Sequence, residues 1–239
     1  MQQPTDPVAD SNVATYRLLG DQDELERASL VVRTLWNDST LAPASQLRAY
    51  THFGNPTIGA FVDDVLVGVS IAFLAPAGGV HLHSHITGVL PTHQHLGLGY
   101  GLKLAQRAWC EEHGIDEVTW TFDPMLARNA HFNLRKLGAV AEALLPGFYG
   151  EMHDAINVGD VSDRLEVHWH LDRSGGANSA PTGSHRVAVP ADYARLRATD
   201  PAAAGGERRR VRDALADGFA RGLVVVDFDA GAYVFAEPT

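Results

Sequence analysis

Along the first 145 residues the apolar positions change their period several times, and each change marks an element. Ala14 to Leu19 alternates as a first strand, and Asp21 then stands as the N-cap of a helix whose stripe is Leu25, Ala28, Val32 and Leu35. Pro43 to Phe53 reads as a second, shorter helix closed by Gly54-Asn55-Pro56. Thr57 to Val62 and Val65 to Leu74 are β-rich runs joined by Asp63-Asp64, a hairpin signal, and Pro76 to Gly79 turns the chain into a further strand. That strand carries His81, His83 and His85 at every second position and ends near Leu90 and Pro91. A glycine-rich turn, Gln94 to Gly99, leads into a helix with Leu98, Leu102, Ala105 and Trp109 on one stripe.

Glu117 to Phe122 alternates as a half-buried strand. Asp123 and Pro124 follow as predicted N-cap and first-turn residue of a helix that places Ala130, Leu134 and Leu137 on one face and stops at Gly138. Strands at Val140 to Leu145 and Arg164 to Leu171 flank the Pro146-Gly-Phe-Tyr-Gly150 loop and an irregular stretch. Residues 1–12 read as a flexible tail, 13–171 as the main domain and 172–184 as a linker rich in Gly, Ser, Ala and Asn. The remainder, 185–239, reads as an appendage of strand (Arg186 to Val189), helix (Tyr193 to Ala198), helix (Glu207 to Arg221) and hairpin (Leu223 to Phe235). Its order echoes residues 14 to 74, as a half-repeat would. At this size it would be marginal alone, so it is expected to dock on the main domain or, in a homodimer, on a second subunit. The fold class is α/β (α+β), a mixed sheet with helices.

Composition narrows the field. A formal charge of −10 over 239 residues argues against nucleic acid as a partner, since phosphate contacts need clustered cations. The one basic cluster, Arg208 to Arg212, lies among acidic neighbours and reads as a solvated helix face. No apolar run is long enough for a bilayer, and the start has neither a basic nor an apolar signal region, so a soluble cytoplasmic protein without membrane contact is expected. The single cysteine, Cys110, reads as packing.

A strand, a glycine turn and a helix leave the first helical amides facing outward, where anions bind, and Gly97 and Gly99 can take positive φ and admit a phosphate closely. Two familiar phosphate loops fit poorly. A mononucleotide loop needs Gly-Lys-Ser/Thr, but Gly99 is followed by Tyr100 and Gly101; a dinucleotide fingerprint needs glycine where Leu102 stands, although Asp123 lies at the distance of its acidic partner. The three alternate histidines share one face of their strand. They read as a general base, as satisfied polar residues on a wet face, or, with His168 and His170, as zinc ligands; no cysteine or carboxylate at ligand spacing supports the last.

The segment resembles the coenzyme A loop of the GNAT superfamily of N-acetyltransferases, whose signature is Gln/Arg-x-x-Gly-x-Gly/Ala between the fourth strand and third helix. Gln94, Gly97 and Gly99 match it, with Val89-Leu90-Pro91 before and Asn129 through Leu137-Gly138 after, and the resemblance covers roughly residues 13 to 171. It implies the GNAT fold and acetyl-CoA as co-substrate, with no metal. It also implies transfer of an acyl group to a small-molecule or protein amine by direct attack. Residues Gln94, His95, Leu96, Gly97, Leu98, Gly99 and Tyr100 would hold the diphosphate, Gly88, Val89 and Leu90 the pantetheine arm, and Asn129 the cofactor's neighbourhood. Arylalkylamine N-acetyltransferases of this superfamily carry His-x-His nine and eleven residues before the signature, where His85 and His83 stand. One or both are implied as base, His83 preferred, because histone acetyltransferases place their glutamate base close to that position. The tyrosine that relatives use as general acid is replaced by Leu134, and Tyr149 is the substitute of choice, with His131 and Asn133 as further candidates. That replacement leaves a second reading open, a non-catalytic acyl-CoA-binding or sensing module.

Overall fold

The computed structural model describes residues 14–150, 161–172 and 185–238. They fall into two compact units: one holds the chain up to Phe73 together with His85–Trp109, the other Leu74–Ser84 and everything from Cys110 on.

In the first unit, β1 (Thr15–Leu18) pairs antiparallel with β2 (Thr57–Val62), and β2 with β3 (Val65–Ala75). The C-terminal half of β4 (His81–Val89) is the next strand. Asp63 and Asp64 take φ of 49° and 60°, the left-handed pair that a two-residue hairpin with matching twist requires. Helix α1 (Gln22–Trp36) starts as the pattern dictates: the Asp21 carboxylate accepts the Glu24 amide at 2.8 Å, and Leu25, Ala28 and Val32 are fully buried. With Leu47 of α2 (Ala44–His52) they pack on Val69, Ile71 and Ile86. A second cluster joins Ile58, Ala60, Val67 and Val89 to Leu98 and Leu102 of α3 (Leu98–Glu112). Close packing of β1 on α3 rests on Gly101, because a Cβ there would overlap the Tyr16 ring.

In the second unit the start of β4 pairs parallel with β5 (Glu117–Phe122), Leu82 opposite Val118 and His83 opposite Thr119. From β5 the ladder is antiparallel through β7 (Arg164–His170) and β6 (Val140–Leu145). It continues to β9 (Val224–Asp229), β10 (Ala232–Ala236) and β8 (Arg186–Ala188). The C-terminal elements thus extend the β5–β7–β6 ladder, joined to it where Ala141 pairs with Val225.

Three expectations change here. The helix after β5 does not start at Asp123: α4 runs Ala127–Ala130 and continues as a π-helical turn, His131–Lys136, ending at Gly138 with φ of 74°. The Asp123 carboxylate instead accepts the Met125 amide at 2.9 Å and meets Arg208 through both oxygens, at 3.1 and 2.9 Å. Arg208 therefore leaves the predicted solvated face; it is 3% exposed, and its Nε also donates to the Tyr193 hydroxyl, whereas Arg210 does pair with Glu207 on the surface. Finally, α6 runs Pro201–Ala220, six residues earlier than predicted, because Asp200 caps it through the Ala203 amide and Pro201 stands in its first turn. It follows α5 (Tyr193–Thr199) with Asp200 as the join. The predicted tail and all of the predicted linker beyond Asp172 lie outside the described residues.

Candidate active site

The alternation of β4 buries Leu82, Ser84 and Ile86 and leaves His81, His83 and His85 partly open. The three imidazoles then part company. His81 bonds the Gly79 carbonyl through Nδ1 at 3.0 Å and belongs to its own turn. His83 Nδ1 lies 3.1 Å from Thr119 Oγ1 of β5. His85 packs on Phe73, ring centres 5.8 Å apart and Phe73 in turn 6.0 Å from Tyr50, and burial of the packed side lowers its pKa from the usual imidazole value. A lowered pKa keeps the ring neutral near pH 7, as an acceptor of protons must be.

Two residues along β5, on the same face as Thr119, Thr121 Oγ1 meets the Tyr149 hydroxyl at 3.3 Å. Tyr149 is held from several sides. Its amide donates to Ser162 Oγ at 3.0 Å, Ser162 Oγ donates to the Gly150 carbonyl at 2.7 Å, and the Gly147 amide donates to the buried Asp163 carboxylate at 3.1 Å. Phe148 stacks edge-on, and the Arg164 guanidinium lies 5.4 Å from the Tyr149 ring centre. In the second unit, His83 and Tyr149 are thus anchored at alternate positions of one strand, roughly 7 Å apart along it. No spacing on β4 or in the loop of Tyr149 names these anchors; their trace in the sequence is the polar phase of the Thr119/Thr121 alternation.

In the first unit, β4 gives way to a 3-10 turn, Pro91–Leu96, that Gly97 closes with φ of 73°. The Tyr100 and Gly101 amides return to the Gly97 carbonyl, so those of Leu98 and Gly99 precede the first helical ring. A Cβ at Gly97 or Gly99 would meet nothing within 4 Å, so both are open to a ligand; of the two, only Gly97 uses positive φ. Gln94 serves the loop itself, its side-chain amide donating to the Val89 carbonyl at 3.0 Å. Leu90 likewise donates its amide to Val67, at 2.8 Å, which removes that amide from the set expected to pair with a pantetheine arm. Gly88 is needed for another reason: a Cβ there would sit 2.6 Å from Leu35 and 2.9 Å from Trp36. His95 and Leu96 are exposed on the turn, Leu98 is core, and Tyr100 is half-buried.

On α4 Asn129 is exposed, and in the following turn His131 is exposed, Asn133 buried and Leu134 only 1% exposed, a core position. His168 pairs with Glu117 at 2.7 Å and stacks on His170. Among the described residues no group of three or more His, Cys, Asp or Glu is disposed to hold a metal, and no helix is long and apolar enough to cross a membrane. A cavity of about 560 Å³ in the first unit, lined by Arg17, Arg27, Leu30, Phe61 and Leu66, shares only Leu90 with the predicted site.

No protein-family model matches the sequence, and no curated protein matches it. Solved structures do match in fold. One, assigned to the GNAT family of acetyltransferases, from Desulfovibrio desulfuricans, superposes with a TM-score of 0.54 at 20% identity over 66% of this chain and 99% of its own. The ribosomal-protein-S18-alanine N-acetyltransferase of Escherichia coli gives 0.55 at 12% over 70% and 98%, and Ard1 of Thermoplasma volcanium 0.52 at 17% over 65% and 95%. The chain has the GNAT acetyltransferase fold, a mixed α/β arrangement around a mostly antiparallel sheet flanked by helices. About a third of it lies outside the part these neighbours match.

Proposed function

We propose that the protein is an acyl-CoA-dependent N-acyltransferase, using acetyl-CoA and a small-molecule or protein amine in a ternary complex in the cytoplasm. The observation that carries this reading is the β4–α3 corner: on a GNAT fold, a positive-φ Gly97 closes a turn at a helix start whose surface is open at Gly97 and Gly99. Such a corner fits the diphosphate of coenzyme A, with the amides of Leu98 and Gly99 as donors and His95 and Tyr100 beside them. When bound, the co-substrate supplies an electrophilic thioester carbonyl and a thiolate leaving group.

The chain's own residues handle protons and orientation. An ammonium acceptor must lose two protons overall. One passes to a neutral imidazole, for which His85 is suited by its lowered pKa, and from there to solvent. As the amine nitrogen bonds to the carbonyl carbon and the C–S bond breaks, the second proton ends on sulfur. Tyr149, hydroxyl against Thr121 and 41% exposed, is the phenol proposed to deliver it, recovering the amide proton in exchange. Asn129 is proposed as a polar contact to the co-substrate.

One observation favours a second reading. Leu134 is buried where relatives carry their acid, so an acyl-CoA sensor without turnover would have the same core. A thiol-release assay over a panel of amines decides between the two. Turnover on at least one amine, lowered by His85→Ala, supports the enzyme; acyl-CoA binding with no turnover on any amine selects the sensor.

A further inference from the structure

We infer that Thr119 is a positioning residue that holds neutral His83 in the tautomer protonated on Nε2, so that His83 presents a hydrogen-bond donor and not a lone pair. Thr119 is 2% exposed, and among the described residues its hydroxyl has one hydrogen-bond partner, His83 Nδ1 at 3.1 Å. A hydroxyl can donate to a bare ring nitrogen or accept from a protonated one. If Nδ1 carried the proton, the Thr119 O–H would be buried with no acceptor and would bear the desolvation cost of an unmade bond. With Nδ1 bare, the hydroxyl donates and the neutral ring keeps its proton on Nε2. Whatever faces Nε2 must then accept.

The consequence for chemistry rests on the acyltransferase reading and divides the histidine pair. A neutral imidazole holding Nε2–H cannot take a proton there, but it can stabilise negative charge developing on the carbonyl oxygen. The base is then His85, next but one on the same strand. The titratable and charged groups sharing the His83–Thr119 face include His81 and His85 on β4, Glu117 on β5, Glu166, His168 and His170 on β7 and Glu142 on β6, with Arg164 and Tyr149 at its end. Of these, His168 is paired with Glu117 at 2.7 Å, and the hydroxyl that meets His83 Nδ1 is that of Thr119.

Two-bond nitrogen–proton correlation spectra of ¹⁵N-histidine-labelled full-length protein, at a pH above the imidazole range, read the tautomer directly and need no ligand. The expected result is a protonated Nε2 and bare Nδ1 for His83, a shift toward the other tautomer in Thr119→Val, and restoration in Thr119→Ser. A protonated Nδ1 in the wild type, or a Thr119→Val spectrum unchanged at His83, overturns the inference. Kinetics then test the division of labour. His83→Ala should lower kcat about 100-fold, the lower end for loss of one such donor, and His83→Gln, which keeps an N–H near Nε2, should recover part of it with the acidic limb of the pH profile intact. Loss of that limb in His83→Gln would make His83 the base and overturn the assignment. Failure of the protein to bind any acyl-CoA would sink the acyltransferase reading while leaving the spectroscopic result to stand or fall alone.

Discussion

Asp21 and Asp123 stand in the same local setting, each just after a strand and just before a helix, and the chain uses them differently. Asp21 caps α1 through an amide three residues ahead. Asp123 accepts a nearby amide too, but its carboxylate is also gripped by Arg208, 85 residues away, and the helix begins only at Ala127. Nearby, the Tyr233 hydroxyl donates to the Pro124 carbonyl at 2.8 Å; burial first and the Asp123 charge second raise its pKa well above normal. Where a carboxylate's partners lie within four residues, the local pattern decides the structure. Where a buried arginine arrives from far along the chain, it can claim that carboxylate and move the boundary. The C-terminal segment from residue 185 on is accordingly a working part of the β5–α4 corner, held there also by Arg135, which binds Asp227 and Asp229 at 3.0 and 2.8 Å.

The contrast can be broken first at its long-range side. Arg208→Ala leaves Asp123 short of its counter-ion in a half-buried site and should cost about 3–5 kcal/mol in urea unfolding. A loss below 1 kcal/mol would mean that the corner stands without the clamp. The glycines of the β4–α3 corner make a sharper pair. Gly97→Ala forces a side chain into the left-handed region and should cost about 1–2 kcal/mol. Gly99→Ala, in the first turn of α3 with open space around it, should leave stability unchanged or raise it by up to about 1 kcal/mol. Equal effects at the two sites would contradict the geometry. Asp21→Ala removes a single local cap and should cost about 1 kcal/mol, well short of Arg208→Ala.

The smallest effect concerns pH. Because burial lowers the His85 pKa, kcat/KM should rise with pH through a midpoint below the ordinary imidazole value of about 6.5. A midpoint above that value would remove His85 as the base. The sign for stability is opposite to that of an ion-paired histidine. The folded state holds its proton less tightly than the unfolded chain, so this group favours folding at higher pH and opposes it as pH falls below about 6.5.

Much of this fold is legible along the chain because its signals are short-ranged. The period of two through β5, the Asp63-Asp64 turn and the Gly97 loop each depend on residues within a few positions. The parts that are not legible depend on distant partners or on weak local signals. Gly205 and Gly206 look like a loop, yet they lie inside α6, where Asp200 caps the helix and Ala204 is buried. Arg208 looks like one of a solvated row until Asp123 and Tyr193 enclose it. Likewise the histidines of β4 announce themselves by spacing, but what separates them is the company each keeps: Gly79 for His81, Thr119 for His83, Phe73 for His85. Strand register brings in Thr119, and no spacing rule on β4 names it.

The most direct test of the account is calorimetric titration of coenzyme A into the purified full-length protein and into Gly97→Ala. A saturable one-to-one heat in the wild type, clearly weakened in the variant, is the predicted result. No heat in the wild type, or equal binding in the two proteins, would contradict the assignment of the corner after β4 as the diphosphate site.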